Sequence, residues 1–566
     1  MPTRQTAWAA RAIGLAIGCL GLPIDACAEP APPQPSESRG LGFASPEHAS
    51  LGNLVYLRFA DGSRHRADRV ALLQRTAANG RAESLSYADL LYLGGDFYSV
   101  PYAGVGHGEV ADVDRIAALA VDGPTVAALR RHLLTLSYQP YVDFLPQLRT
   151  LERDLQARFE RAVLQRKPFD YTTADDCSFM LVTGAGSCIR GVGDLLNLTR
   201  YLGLYFDISV RNHDHFHEDA QTAFLVGQRL ALETALTARD ERDLRYAYQI
   251  AGFAGHFGSD AFASGHVRTD RRRIENYCAA QFAQWGIAGY GAQLLSGLLV
   301  KQMHDQDNSL GVFVTGRDGA QWFAVGDDYL STPAGQPSIE HASAALQLAV
   351  DQIYDGYQHR ATVDRASFIR SSLRQLQQLL PDIALTTADT THNVPALFEP
   401  TASGMQWNDP ERGSEPLGCY RAVWYYADAV GRSQLERWIA AQPPRSVGAQ
   451  RTIDVEVSRD DSVSGVLGCE WSRIDEGDLP STDGHFTPRS GAHLQSSGRG
   501  ARGHLYCMLM AADQRQPECT FTVALANPLV GRDTATLVDR SGSCRVDIDL
   551  NGRGNHWKPR LRVMHH

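Results

Sequence analysis

The stretch Gly255-His256-Phe257-Gly258-Ser259-Asp260-Ala261-Phe262-Ala263-Ser264-Gly265-His266 closes a run that apolar spacing predicts as a helix from Asp243 to Asp260. His256 and Asp260 stand four residues apart, so both side chains leave one helix face about a turn apart. An imidazole and a carboxylate at that spacing can grip one metal ion, and zinc accepts both ligand types. The Ser264-Gly265 pair lets the chain turn and bring His266 back toward the same place. An HxxxD pair alone is commonly a surface feature, so the remaining ligands must come from elsewhere in the chain.

Upstream, Asn212-His213-Asp214-His215-Phe216-His217-Glu218-Asp219 is the densest histidine cluster and opens a helix predicted to reach Leu232 or beyond. Three alternating histidines in a loop point to metal more strongly than one does. Earlier, the apolar segment Tyr87 to Leu93 leads into Gly94-Gly95-Asp96-Phe97-Tyr98. An aspartate after two glycines is a turn former, and it also sits where backbone can bring a carboxylate close to a metal. His107 is a further loop candidate, without a partner pattern around it. Near the N-terminus, Ser45-Pro46 reads as an N-cap followed by a first helical residue, which puts His48 in a first helical turn. Downstream, a long helical run over 275 to 303 ends in Lys301-Gln302-Met303-His304-Asp305-Gln306-Asp307-Asn308. A histidine near a helix end, followed by acids, again suits mixed nitrogen and oxygen ligation.

Helical periodicity predicts further helices over 111–167, 189–207, 338–358 and 364–380, with a hairpin around Arg317-Asp318-Gly319. From about Asp382 the periodicity fades, apart from Tyr420 to Ala441. After Arg451 short alternating runs take over, as in Thr452–Ser458, His504–Met510, Thr520–Leu525 and Cys544–Leu550. The expected architecture is a mainly α-helical catalytic domain over 41–385, a connecting segment over 386–450, and a disulfide-stapled β-sandwich-like domain over 451–566.

The chain has 566 residues, 43% hydrophobic and 21% charged, which suits globular domains. Its net charge of −10 and lack of a long basic run disfavour tight binding to duplex nucleic acid. Residues 1–28 read as a signal peptide: Arg4 and Arg11, an apolar run from Ala12 to Leu22, then Ala26-Cys27-Ala28. Residues 29–40 read as a Pro- and Ser-rich leader, and no later segment is apolar enough to span a bilayer. Periplasmic or secreted export is therefore expected. Eight cysteines remain after the signal, an even number that suits disulfides in an exported protein. Cys177 and Cys188 bracket a short loop and are expected partners, while Cys507 and Cys519 are spaced to close a hairpin.

Taken together, the candidates run in a definite order: His48, Asp96, His215-Phe216, His256xxxAsp260x₅His266, then His304 with Asp307 or Asn308. This series resembles the zinc-dependent phospholipase C / P1 nuclease superfamily, across roughly residues 40 to 330. The HxxxDx₅H spacing is identical to the family's, and the gap from His215 to His256 is similar. The GDFY, NxxHF and HDxDN elements and the C-terminal extension look like the secreted bacterial phosphatidylcholine-hydrolysing group. Three features depart from the family pattern. No Trp precedes Trp285 in the mature chain, Asn308 stands four residues after His304 where an acid is usual, and the gap from His266 to His304 is longer.

The resemblance implies a helical fold holding two to three zinc ions. His215, His256, Asp260 and Asp96 would hold one, His266, His304 and Asp307 another, with Asp260 bridging toward a position supported by His48. Asp96 would be a ligand or the general base. The implied reaction is hydrolysis of phospholipids such as phosphatidylcholine, at membrane surfaces, to diacylglycerol and a phosphorylated head group by metal-activated water. Two alternatives stand beside it: a P1-like single-strand nuclease or 3′-nucleotidase, and a secreted binding protein with a structural or vestigial zinc site.

Overall fold

The computed structural model describes residues 46–99, 104–106, 111–184, 204–284, 289–326, 329–389, 391–393, 396–401, 404–409, 413–416 and 419, and eight strands between 451 and 565. The expected signal peptide and leader, His107, Cys188, residues 189–203 and the stretch from Tyr420 to Ala441 lie outside the described residues.

The chain is mainly helical. Helix α1 (Pro46–Gly52) begins at the expected proline, whose missing N–H costs nothing in a first turn. Two short antiparallel pairs follow that periodicity had not suggested, β1 (Tyr56–Arg58) with β2 (Arg64–Arg66) and β3 (Leu73–Thr76) with β4 (Ala82–Leu85). Helix α2 (Tyr87–Leu93) opens on a capping box. The Ser86 hydroxyl accepts from the Asp89 N–H, and the Asp89 carboxylate accepts from the Ser86 N–H. The expected helical region then divides into α3 (Val113–Ala117), α4 (Pro124–Thr135), α5 (Gln139–Asp143) and α6 (Leu145–Gln165). Helices α7 (Thr173–Val182) and α8 (Leu204–Ser209) come next.

A 3₁₀ turn, His213–His215, precedes the central hairpin of α9 (His217–Leu236) and α10 (Glu241–Asp260). Asp240 caps α10 by accepting from the Asp243 N–H. Helix α9 buries residues on every side, and α10 is buried throughout its last eleven residues, Ile250 to Asp260. Small residues set how closely these elements approach. A Cβ placed on Gly227 of α9 would lie 2.1 Å from the Ala254 Cβ of α10, and one on Gly52 would lie 2.6 Å from the Ala88 Cα of α2. Thus α1 lies on α2, α2 on α10, and α10 on α9.

After the short α11 (Ser264–Val267), the long helical run expected from 275 to 303 is divided between α12 (Arg271–Gln284) and α13 (Tyr290–Leu310), with Gly289 at φ 59° before α13. The expected hairpin follows as β5 (Val312–Thr315) and β6 (Gln321–Ala324), with Gly319 at φ 86° in its turn. Helices α14 (Gln336–His359), α15 (Arg365–Leu379) and α16 (Ile383–Ala388) complete this region. A three-stranded sheet of β7 (Phe398–Thr401), β8 (Gly404–Asp409) and β9 (Gly413–Pro416) comes after them. The main apolar core gathers side chains of α2, α9, α10, α14 and α15. A second, smaller core holds Phe216, Ile274, Cys278, Leu299, Met303 and Cys419, and the Cys278–Cys419 disulfide lies in it.

The C-terminal strands form two four-stranded sheets. One contains β10 (Arg451–Arg459), β12 (Ala492–Gly498), β16 (Cys544–Arg553) and β17 (His556–His565), with β10 and β17 parallel. The other contains β11 (Val466–Arg473), β13 (Ala501–Met510), β14 (Pro517–Asn527) and β15 (Thr534–Gly542), all antiparallel. The expected Cys507–Cys519 pairing is corrected: Cys519 bonds to Cys544, joining one sheet to the other. Register explains it, because Cys507 stands opposite Phe521 and Cys519 opposite Leu509. Cys177 is disulfide-bonded, and its expected partner, Cys188, is outside the described residues. Among the described residues no helix is long and apolar enough to cross a membrane.

The α9–α10 contact yields a test. A side chain at Gly227 improves helix propensity by up to about 1 kcal/mol. Its Cβ, however, meets a Cβ fixed to the facing backbone, and overpacking costs about 1–3 kcal/mol. Gly227→Val should therefore destabilise the fold by about 1–2 kcal/mol. An unchanged denaturant midpoint would contradict this close packing.

Candidate metal centre

His256 and Asp260 lie at the buried end of α10, and four other segments bring ligand-type side chains to them. Helix α1 delivers His48, the double-glycine turn after α2 delivers Asp96, the 3₁₀ turn before α9 delivers His215, and α11 delivers His266. All of these side chains are buried. Asp260 is the hub. Its Oδ1 lies 3.5 Å from His48 Nε2 and 4.0 Å from His266 Nε2, while its Oδ2 lies 3.0 Å from His215 Nδ1 and 3.6 Å from His256 Nε2. Asp96 Oδ1 lies 3.8 Å from His256 Nε2 and 4.0 Å from His215 Nδ1. Two groups result, each with ligand atoms within 4.8 Å of one another: His48, His256 and Asp260, and Asp96, His215 and His256. Either could hold a metal ion.

Backbone acceptors fix how the rings face. His256 Nδ1 donates to the Leu91 carbonyl at 2.9 Å, and His266 Nδ1 donates to the His215 carbonyl at 2.7 Å. The Ser259 hydroxyl donates to the His256 carbonyl at 2.7 Å, so its oxygen accepts from His48 Nδ1, also at 2.7 Å. In these three rings the proton sits on Nδ1 and Nε2 is left as an acceptor; His256 Nε2 also lies 3.2 Å from His215 Nδ1. Burial pushes His256 well below the ordinary histidine range, and the neighbouring His48 and His215 add to the shift. Burial also takes His215 down to about 4, opposed by Asp214. Neutral imidazoles at physiological pH are what metal ligation requires.

The turn that carries Asp96 fits this crowding. A Cβ on Gly95 would lie 2.0 Å from His256 Cδ2 and 2.7 Å from His215 Cε1. The glycine keeps the space between the two imidazoles open, which fits a small ion held among nitrogen and oxygen donors.

The last predicted ligands are arranged otherwise. Asp307, expected as a ligand, has its carboxylate held in a two-point pair by the buried Arg268, with Nε to Oδ2 at 3.0 Å. Burial raises the Asp307 carboxyl, against the pull of Arg268. One turn along α13 from His304, Asn308 is the residue that faces it, with Nδ2 3.0 Å from His304 Nε2. Asn308 Oδ1 meanwhile accepts from the Gly265 N–H at 2.6 Å. Both positions lie on the His304 side of the helix, and the buried Arg268 takes up Asp307 while Asn308 is left facing His304. In the histidine cluster, His213 points to Glu275 at 2.6 Å rather than to the centre. Burial pushes the Glu275 carboxyl up, but His213 and Arg271 outweigh it and hold it at about 2.

Sequence reasoning gave no role to Ser259, which orients His48, or to Asp214. Asp214 accepts from the Val105 N–H at 2.9 Å and lies 4.0 Å from His215 Nε2, and burial raises its carboxyl. Both stand beside predicted ligands in the sequence, and only that adjacency could have flagged them. Comparison with family models, curated proteins and solved structures found no match to this chain.

Two substitutions separate these assignments. His256 belongs to both ligand groups, so His256→Ala should weaken metal binding by more than the 10- to 100-fold typical of losing an orienting partner (roughly, from). Metal content after equilibrium dialysis reads this directly, and wild-type content would remove the assignment. Asp307→Asn should leave metal content unchanged but lower the unfolding free energy by about 3–5 kcal/mol, because Arg268 would be left buried without its charge partner. Loss of metal with unchanged stability would reverse that reading.

Proposed function

We propose that this chain is an exported zinc-dependent phospholipase C. It hydrolyses the glycerol-side phosphodiester bond of phospholipids such as phosphatidylcholine, releasing diacylglycerol and the phosphorylated head group. The observation that carries the reading is the convergence on Asp260 of His48, His215, His256 and His266, with Asp96 beside them. Those are the residues, in order, that the sequence series shares with the superfamily it resembles. Zinc bound there would supply a Lewis acid for phosphoryl oxygens and a water that ionises near neutral pH.

The chain's own groups do the rest. Leu91 and His215, through their carbonyls, and Ser259, through its hydroxyl, hold three rings in the tautomer that presents Nε2. His256 belongs to both ligand groups, and Asp260 turns one carboxylate oxygen toward His48 and the other toward His215. Asp96 serves as a ligand or as the general base that takes a proton from water. The two C-terminal sheets are read as layers of a small sandwich that meets the lipid surface, on analogy with the family alone.

A specific observation favours a second reading, a binding protein with a structural zinc site. His266 lies against His304, with ring centres 4.8 Å apart, but His304 accepts from Asn308 and Asp307 is taken by Arg268, so this second set has its expected carboxylate diverted.

The mature protein should release diacylglycerol from phosphatidylcholine vesicles, lose that activity in a chelator and regain it with zinc. Nucleotide release from single-stranded RNA without diacylglycerol would replace the lipase by a nuclease. Bound zinc with neither activity would support the structural site.

A further inference from the structure

We propose that Arg271 and Glu275 form a positioning clamp that holds the His213–His215 turn in its metal-binding geometry and, through that turn, orients His266. The inference rests on the metal-centre reading above. Neither residue belongs to the ligand groups, and no motif includes them.

Arg271 is among the largest fully buried side chains in the protein. The two terminal nitrogens of its guanidinium donate to one short segment. Nη1 donates to the Ser209 carbonyl at 3.0 Å and to Asn212 Oδ1, and Nη2 donates to the Val210 carbonyl. Nε donates to Glu275 Oε1 at 2.8 Å, one turn along α12. The other Glu275 oxygen accepts from His213 Nε2 at 2.6 Å. The pair therefore grips positions 209, 210, 212 and 213, immediately before His215. On the far side of His215, the guanidinium lies 5.6 Å from the centre of the Phe216 ring. Phe216 in turn stacks on His266, with ring centres 4.7 Å apart and an interplanar angle of 21°.

The turn needs such support. His217 has φ 54°, in the left-handed region that a non-glycine side chain seldom adopts and that persists where the surroundings over-determine it. The His215 carbonyl is also the acceptor that fixes the His266 tautomer, so movement of this backbone would misplace two ligands together. A lysine could not replace the arginine, because the contacts diverge in the plane of a rigid fork. The clamp is anchored further along its own helix: Cys278, seven residues after Arg271 and on the same face, is bonded to Cys419.

The test uses the full mature chain as wild type, Glu275→Gln and Arg271→Lys. Zinc affinity is read by competition with a chromophoric chelator, ligand geometry by the visible spectrum of the cobalt-substituted protein, and folding by thermal denaturation without metal. Both variants should fold, bind zinc roughly 10- to 100-fold more weakly, the range for residues that orient a ligand, and show an altered cobalt spectrum. Wild-type affinity and an unchanged spectrum in both variants would overturn the clamp. So would unfolding of both variants in metal-free buffer, which would assign the pair to folding alone. A wild-type protein that binds no zinc would instead overturn the metal reading on which the clamp rests.

Discussion

Four imidazoles and two carboxylates buried within a few ångströms of one another are the constraint that the rest of the structure has to satisfy. Taking polar groups out of water costs several kcal/mol each unless they are hydrogen-bonded or ligate a metal. The fold meets this by giving the rings of His48, His256 and His266 a fixed acceptor for one nitrogen: Ser259, the Leu91 carbonyl and the His215 carbonyl. Burial then holds His256 and His215 below the ordinary histidine range, so neutral rings stand beside the carboxyl groups of Asp96 and Asp260, a donor set that suits a cation.

The packing follows from where those groups must sit. The end of α10 can be buried only if α9 and α2 lie close against it, and the small residues at Gly227, Ala254 and Gly95 permit that approach. Helix α12 contributes no ligand, yet it lies beneath the turn that carries His215 and is tied by the Cys278–Cys419 bond. The second apolar core, with Phe216 and Met303 in it, backs the segments that carry His215 and His304.

Periodicity and caps located several helices to within a few residues, including α1 at Pro46, α10 ending at Asp260, and α14 and α15. These signals are local, so they survive without tertiary context. The run from 275 to 303 reads as one helix because both parts share the same period, and the break signal, Gly286 and Gly289, is outweighed by that period. The pairing of Cys507 with Cys519 failed for a related reason. Spacing suggests a hairpin, but strand register decides which cysteines face each other.

The sequence by itself determined the identity and order of the ligand-type residues, since His256, Asp260 and His266 owe their common placement to helical spacing and a short turn. It also carried the resemblance from which a phosphodiester-cleaving zinc enzyme is proposed. Only the tertiary structure decided that His48, Asp96 and His215 join them, that Asn308 and not Asp307 faces His304, and that Arg271 reaches back to the His215 turn. Those outcomes depend on contacts between residues tens to hundreds of positions apart, and pattern within a segment of chain holds no information about which buried charge will find which partner.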